Sequence, residues 1–321
     1  MILAIGPADD LVRHRLADFG PYVEVAADDL EAIAEHLPGA VAIAARATAV
    51  VDAAAVEAAP KLRVIGRSGV GVDRVDVRAA TARGIPVVIT PNAGTRAVAE
   101  GTLALILHLV KRLGPLTDLV RDSAWDRREQ LPLGDLDGAT LGIVGYGRIG
   151  RRVAELAAVF GMTIIAHDPY ADSATVEPHV TLTDLPTLLA GADVISLHAP
   201  LTRETQGVIG RRALAEVKRG AVLVNCGRGG LLDLDAAHDA LRDGRLAGLG
   251  LDVYDPEPPD RHPVFGHPDV VLTPHVMALS RRARQLVFAE MADGIAEVLA
   301  GRRAPHVANP DVYEHQEVKT P

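Results

Sequence analysis

The chain of 321 residues is 48% hydrophobic and 23% charged, enough to bury a large core and to hold about two domains. Its formal charge of −9 comes without a basic run, which argues against nucleic acid as a partner. A single cysteine excludes an internal disulfide framework or a cysteine-only metal site and suits a reducing cytosol, and only four of the 33 basic residues are lysines (Lys61, Lys111, Lys218 and Lys319), none placed for Schiff-base chemistry.

The first ten residues lack the basic stretch of a secretory leader, and Arg46 and His108 interrupt the best apolar runs, so a soluble, cytoplasmic protein without membrane span or metal is expected. Over the first ninety residues, short apolar strands are predicted at 2–5, 41–44, 62–65 and 87–89, separated by helical segments such as 28–36 and 75–83. The crossovers imply parallel strands. Residues 96–113, with Ala-Leu-Ile-Leu-His-Leu-Val, are apolar nearly all round and predict a helix buried between domains or between subunits. An arm carrying Trp125 follows over 114–138. From Thr140 the alternation resumes, with strands near 141–144, 162–166, 194–197, 222–224, 248–251 and 270–272 and a helix over 151–160. A last helix over 281–299 is placed to pack back on the first domain, and the final dozen residues read as a loose tail. The expected division is 1–95, 96–280 and a return over 281–321, each part of α/β type.

The segment Gly145-Tyr-Gly147-Arg148-Ile149-Gly150 follows one of these strands and opens a helix, which is the setting of a dinucleotide-binding turn. Gly145 permits the tight turn, Gly147 lets the backbone approach a pyrophosphate, and Gly150 lets the helix pack close to the strand. The pyrophosphate then sits on the positive end of the helix. The next strand ends at Asp168, eighteen residues after Gly150, where a carboxylate accepts both ribose hydroxyls and repels a 2′-phosphate, so NAD is favoured over NADP.

Three further loops follow buried strands: Asn225-Cys226-Gly227-Arg228, Asp252-Val-Tyr-Asp-Pro-Glu257, and Thr273-Pro-His275. In a doubly wound sheet they converge on one crevice with the glycine turn. Hydride transfer between NAD and a 2-hydroxy acid needs the set they carry. Arg228 holds a carboxylate, His275 takes or gives the hydroxyl proton, and Glu257 stabilises the imidazolium and fixes its tautomer. Asp255 is the rival carboxylate. Cys226 reads as a buried small side chain rather than a nucleophile, and His198 as structural.

These residues, together with residues 66–73 (Gly-Arg-Ser-Gly-Val-Gly-Val-Asp), 97–100 and 198–202, resemble the D-isomer-specific 2-hydroxyacid dehydrogenases, the group that includes phosphoglycerate dehydrogenase and glyoxylate/hydroxypyruvate reductase. The likeness runs over about the whole chain, and the steps of twenty-nine residues from Arg228 to Glu257 and eighteen from Glu257 to His275 match that family's triad. The resemblance implies a Rossmann-type doubly wound sheet over 96–280 and a smaller flavodoxin-like substrate domain made of 1–95 and 281–321. It implies that Arg228, Glu257 and His275 are catalytic. It further implies that Arg148, Ile149, Asp168, Pro200, Thr205, Cys226, Gly227, Arg228, Asp252 and His275 line the NAD site, and that Arg46, Ser68, Gly69, Val70, Arg228 and His275 meet the substrate; from the residues alone, Asp252 could instead cap its loop and Arg46 be a solvated strand-end charge.

Three departures stand out. Residues 276–279 read Val-Met-Ala-Leu where the family usually carries small glycines, so bulk there is expected to narrow the substrate pocket. Residues 91–95 exchange Asn and Gly relative to the commoner pattern, and the chain lacks the serine-binding module appended to some phosphoglycerate dehydrogenases. The function expected is NAD-dependent oxidoreduction of a small D-2-hydroxy acid or its 2-keto partner, on a phosphoglycerate dehydrogenase-like or hydroxypyruvate/glyoxylate reductase-like pattern. The alternative from another class is an NAD(H)-sensing corepressor on the same fold; formate oxidation is disfavoured because Glu257 stands where that activity resembles sites with Gln. The apolar helix and the Trp125 arm predict a two-fold homodimer.

Overall fold

Central strands of a parallel sheet are buried on both faces, and the apolar runs of this chain meet that demand in two separate sheets. In the computed structural model, which describes residues 1–316 apart from Ala8 and Ala47, the chain divides into two units. One is Met1–Gly94 joined by the chain from Arg281 onward, and the other is Thr95–Ser280.

The first unit holds β1 (Ile2–Ile5), β2 (Tyr22–Val25), β3 (Ala42–Ala45), β4 (Val64–Arg67) and β5 (Val87–Val88), all parallel, in the order β2-β1-β3-β4-β5. This is the flavodoxin-like order. Every residue of β1, β3 and β4 is buried. The crossovers α1 (Asp10–Leu16), α2 (Leu30–His36), α3 (Ala53–Glu57) and α4 (Val77–Ala82) each open on an aspartate, Asp9, Asp29, Asp52 or Asp76, whose side chain accepts a backbone N–H of the first turn. The helix Arg281–Leu299 returns to this sheet. It comes so close to β4 that a Cβ on Gly66 would lie 2.4 Å from Ile295 Cδ1. Beyond it, Asn309 accepts from Val87 N at 2.8 Å and donates to Ile85 O at 3.0 Å, closing the β5 end.

The second unit holds β6 (Thr140–Val144), β7 (Thr163–His167), β8 (Val180–Leu182), β9 (Val194–Leu197), β10 (Ala221–Asn225), β11 (Leu246–Leu251) and β12 (Val270–Leu272). They are parallel, in the order β12-β11-β10-β9-β6-β7-β8. The chain runs outward from β6 to β8, returns to β9, and runs outward the other way, so the switch point of this Rossmann-type sheet lies between β6 and β9. One face is covered by α5 (Thr95–Val110) and α7 (Arg148–Val159). The other carries α8 (Leu185–Gly191), α9 (Arg211–Glu216) and α10 (Leu234–Arg242).

Several expectations need correction. Strands β2 and β8 have no counterpart in the sequence reading, because both lie at sheet edges and are only partly buried, so their apolar signal is diluted. The helix expected over 96–113 ends at Val110. Arg112 takes a left-handed φ of 54° and a second helix, Leu113–Arg121, begins. The buried residues of α5, among them Val98, Leu105, Ile106 and Leu109, pack in the core of their own unit, so its apolar surface does not require a second copy. Residues 310–316 form a 3₁₀ helix with Val312 and Tyr313 buried rather than a loose tail; 317–321 lie outside the described residues. Among the described residues no helix is long and apolar enough to cross a membrane.

Just past β9, the His198 Nε2 meets Ser196 Oγ at 2.8 Å while its Nδ1 is enclosed without a partner. Burial pushes this imidazole down to about 4 from an ordinary 6.5. A depressed histidine leaves stability intact above the unfolded value and loses it as pH falls toward the folded value, since only the unfolded chain takes up the proton readily. Urea unfolding at pH 7 and pH 4.5 is expected to show His198→Gln losing about 2 kcal/mol less than wild type across that window. Identical losses in the two proteins would refute the assignment.

Candidate active site

The glycine turn is built by contact rather than by composition. Gly145 has φ +93°, and a Cβ on it would lie 2.4 Å from Ala199 N. A Cβ on Gly150 would lie 2.3 Å from Gly145 O, whereas the space beside Gly147 is open. Helix α7 starts at Gly147 with no side-chain cap, so its first-turn N–H groups are left to an incoming anion. Arg148 is exposed next to them, Ile149 half-buried. At the end of β7, the Asp168 carboxylate accepts from Tyr146 N and from Tyr170 N, both at 2.9 Å, which aims it along the turn. The Tyr146 side chain is itself anchored: its hydroxyl donates to Glu177, and Arg151 lies over its ring at 4.7 Å. These residues fit a dinucleotide with free ribose hydroxyls.

From this turn the loops nest one against the next along the strand ends. Gly227 closes on the carbonyls of Leu197 and Ala199, with 3.1 and 3.3 Å to a would-be Cβ, and Gly229 closes on the Tyr254 carbonyl carbon at 2.0 Å. Arg228 stands between those two glycines, half-buried, with Nη1 donating to Gly227 O at 2.8 Å. Tyr254 donates its amide to Glu257 Oε1 at 3.0 Å and its hydroxyl to Thr273 O at 3.0 Å, tying the loop after β11 to the one after β12. There His275 Nδ1 meets Glu257 Oε2 at 2.8 Å. A carboxylate only accepts, so Nδ1 carries the proton and Nε2 is left as the acceptor. Asp255, the rival, is exposed and is not the imidazole's partner.

Asp252 is a buried anchor of the neighbouring loop. Its carboxylate is 2% exposed and accepts from Thr273 Oγ1 at 2.7 Å, Val276 N at 2.9 Å and Met277 N at 3.2 Å. It anchors the His275 loop from beneath. The Met277 side chain packs against α5 and the core around it, while Val276 and Leu279 stay exposed. Cys226 is buried, its thiol pushed up to about 12 by burial, and is no nucleophile. Thr205 donates to Pro200 O at 2.6 Å, bracing the loop after β9. The connecting roles of Tyr254, Tyr146, Glu177 and Gly229 escaped sequence reasoning; Tyr254 sits inside a matched motif, but nothing in a linear pattern shows what its hydroxyl bridges.

Arg46 and residues 68–70 belong to the other unit, at the carboxyl ends of β3 and β4. Arg46 lies over the Phe288 ring at 4.8 Å and donates to Pro7 O at 3.1 Å. Burial and the neighbouring Arg284 both hold its guanidinium below its ordinary value, against a smaller pull from Asp9. Ser68 N donates to Ala45 O, Gly69 has φ +137°, and Val70 is exposed. Among the described residues no group of three or more His, Cys, Asp or Glu side chains is placed to hold a metal ion.

Comparison with known proteins agrees with this geometry. Residues 103–277 match the model of the D-isomer specific 2-hydroxyacid dehydrogenase, NAD binding domain. The chain is 39% identical to D-3-phosphoglycerate dehydrogenase of Mycobacterium tuberculosis over 306 residues, which is 94% of this chain but 58% of that protein. It thus spans a little over half the length of that relative. Against the glyoxylate reductase of Thermofilum pendens it is 36% identical over 311 residues, 95% of this chain and 90% of the other. The crystal structure of the TT0316 protein from Thermus thermophilus superposes with a TM-score of 0.87 at 38% identity, covering 96% of this chain and all of that one. With a family model over more than half its length and a relative matched nearly end to end, the chain belongs to the D-isomer-specific 2-hydroxyacid dehydrogenases, and the match to their NAD binding domain lies within Thr95–Ser280.

Proposed function

We propose that the protein is an NAD-dependent dehydrogenase of small D-2-hydroxy acids, working on the 2-keto acid in the reductive direction. The observation that carries the reading is the Glu257–His275 pair at 2.8 Å, set on the same strand edge as an uncapped glycine turn. Bound nicotinamide supplies or accepts the hydride. Arg228 holds the substrate carboxylate by a forked pair of hydrogen bonds. His275 Nε2 gives its proton to the C2 oxygen during reduction and takes it back during oxidation, and Glu257 stabilises the charged ring. Met1–Gly94 with its C-terminal return serves as the substrate domain, offering Arg46 and residues 68–70. Arg46 is a residue that the family resemblance sets beside the substrate, so an acid bearing a second negative group, such as phosphohydroxypyruvate, joins hydroxypyruvate and glyoxylate in the panel. The lone buried thiol suits a reducing cytoplasm.

NADH oxidation on that panel tests the reading: turnover of at least one keto acid is expected, and none at all would overturn it. In the same assay His275→Ala is expected to lose about 10² to 10⁴ in kcat with NADH affinity almost unchanged. Near-normal turnover would remove His275 from the reaction.

Cofactor choice rests on Asp168. Wild type is expected to prefer NADH over NADPH, and Asp168→Ala to weaken NADH binding about tenfold while narrowing that preference, because an acceptor and a repelling charge leave together. Competitive binding followed by NADH fluorescence decides it; a wild type that prefers NADPH would contradict the assignment.

A homodimer remains part of the proposal, now resting on the arm alone. Val120 and Trp125 are 61% and 65% exposed, Leu113 and Leu133 are exposed beside them, and the helix Leu113–Arg121 buries no residue within its own unit. Such a self-complementary apolar strip suits a two-fold contact. Light scattering is expected to give twice the single-chain 33.8 kDa, and Val120→Asp with Trp125→Glu to return the single mass. A wild-type mass near 33.8 kDa refutes the dimer.

A further inference from the structure

Glycine within a helix weakens it relative to alanine, so Gly101, well inside the sixteen-residue α5, needs a reason of its own. The reason comes from the loop after His275. A Cβ at position 101 would sit 2.2 Å from Met277 Sδ, 2.9 Å from its Cγ and 3.1 Å from its Cβ. Rotation of a flexible side chain relieves the first of these. It cannot relieve the last, because the Met277 Cβ is fixed to the backbone, so the loop itself would have to give by a few tenths of an ångström.

That stretch of backbone has little freedom to give. Met277 N and Val276 N both donate to Asp252, and His275 N donates to Asp252 O at 2.8 Å. His275 itself holds φ +52°, a left-handed conformation that a side-chain-bearing residue keeps only where its surroundings impose it. Two constraints therefore meet at this loop. The Asp252 carboxylate fixes its backbone from one side, and the Met277 side chain, lodged against α5, fixes it from the other. Neither alone prevents the loop from pivoting about the other.

We infer that Gly101 and Met277 form a socket and peg that positions the His275 imidazole, making both of them positioning residues of the reaction. The inference rests on the catalytic reading of His275 given above. It also accounts for two oddities together: the helix-weakening glycine and the bulky residue in the loop fit each other.

The test uses Gly101→Ala, Met277→Ala and the double variant Gly101→Ala with Met277→Gly, which also removes the Met277 Cβ, in the full chain. Three readouts are followed: kcat and KM for the keto acid, NADH affinity by fluorescence, and the ring ¹⁵N signals of His275, assigned by their loss in His275→Gln. Gly101→Ala is expected to lower kcat about tenfold, since a small misplacement of a proton-transfer group has large effects. NADH affinity should stay within about twofold, and the helix preference of alanine offsets part of the stability that the clash costs. The double variant regains room and should recover most of kcat and the His275 signals, even though Met277→Ala alone loosens the loop and slows turnover a few-fold. Wild-type kcat with unmoved His275 signals in Gly101→Ala would overturn the inference. So would a double variant as slow as Gly101→Ala, which would mean that the clash lies elsewhere. Wild-type signals in Met277→Ala count against it even if Gly101→Ala does not fold. An enzyme inactive on every acid would instead sink the proposed reaction, while the ring signals still decide whether the socket places the imidazole.

Discussion

Parallel strands all end at one edge of their sheet, and there the backbone must turn away with its side chains and carbonyls crowded against those of its neighbours. In Thr95–Ser280 the crowding is resolved by letting each loop lie directly on the next: the glycine turn on Ala199, Gly227 on the carbonyls of residues 197 and 199, Gly229 on Tyr254, and Tyr254 on Thr273. Glycine is needed at these points because backbone approaches backbone. The consequence is chemical. A guanidinium, a carboxylate and an imidazole, at Arg228, Glu257 and His275, stand on a continuous run of contacts that begins at the glycine turn.

The far end of that run is the part under strain. A left-handed histidine costs about 1 kcal/mol relative to a relaxed backbone, and it carries the ring that the proposed reaction uses. Against this, the buried Asp252 carboxylate gathers three donors, one hydroxyl and two amides, between 2.7 and 3.2 Å. Hydrogen bonds to a charged group contribute about 1.5 to 3 kcal/mol each, so the anchor outweighs the strain several-fold. The geometry is set by the buried acid rather than by the exposed one. Glu257 then meets a ring already in place, through Nδ1.

Much of this was legible in the residues, and the exceptions have causes. Strands fully enclosed by their neighbours, such as 2–5, 194–197 and 222–224, announce themselves as apolar runs because little that is polar is tolerated there. The edge strands Tyr22–Val25 and Val180–Leu182 admit Glu24 and Thr181, and so resemble the loops beside them. The helix from Thr95 is apolar nearly all round, yet apolarity does not say whose surface covers it; its own sheet and α7 do. The choice of Glu257 over Asp255 came from family spacing, since both carboxylates lie on one proline-rich loop and only the fold shows which reaches Nδ1. Where Met277 points depends on an empty position in a helix some 176 residues earlier, and no local pattern carries that information.

Helix starts show the same logic from the side of what is left undone. Six helices open on an aspartate that caps them, Asp9, Asp29, Asp52, Asp76, Asp184 and Asp233, an arrangement that contributes about 1 kcal/mol each. Helix α7 forgoes it at Gly147. An aspartate there would satisfy the N–H groups, but it would place a carboxylate where a pyrophosphate has to lie, and the repulsion would cost more than the cap supplies. Asp168, at the end of the next strand, is held by the Tyr146 and Tyr170 amides. The helix end is thus left uncapped at the same strand edge where the Glu257–His275 pair is held.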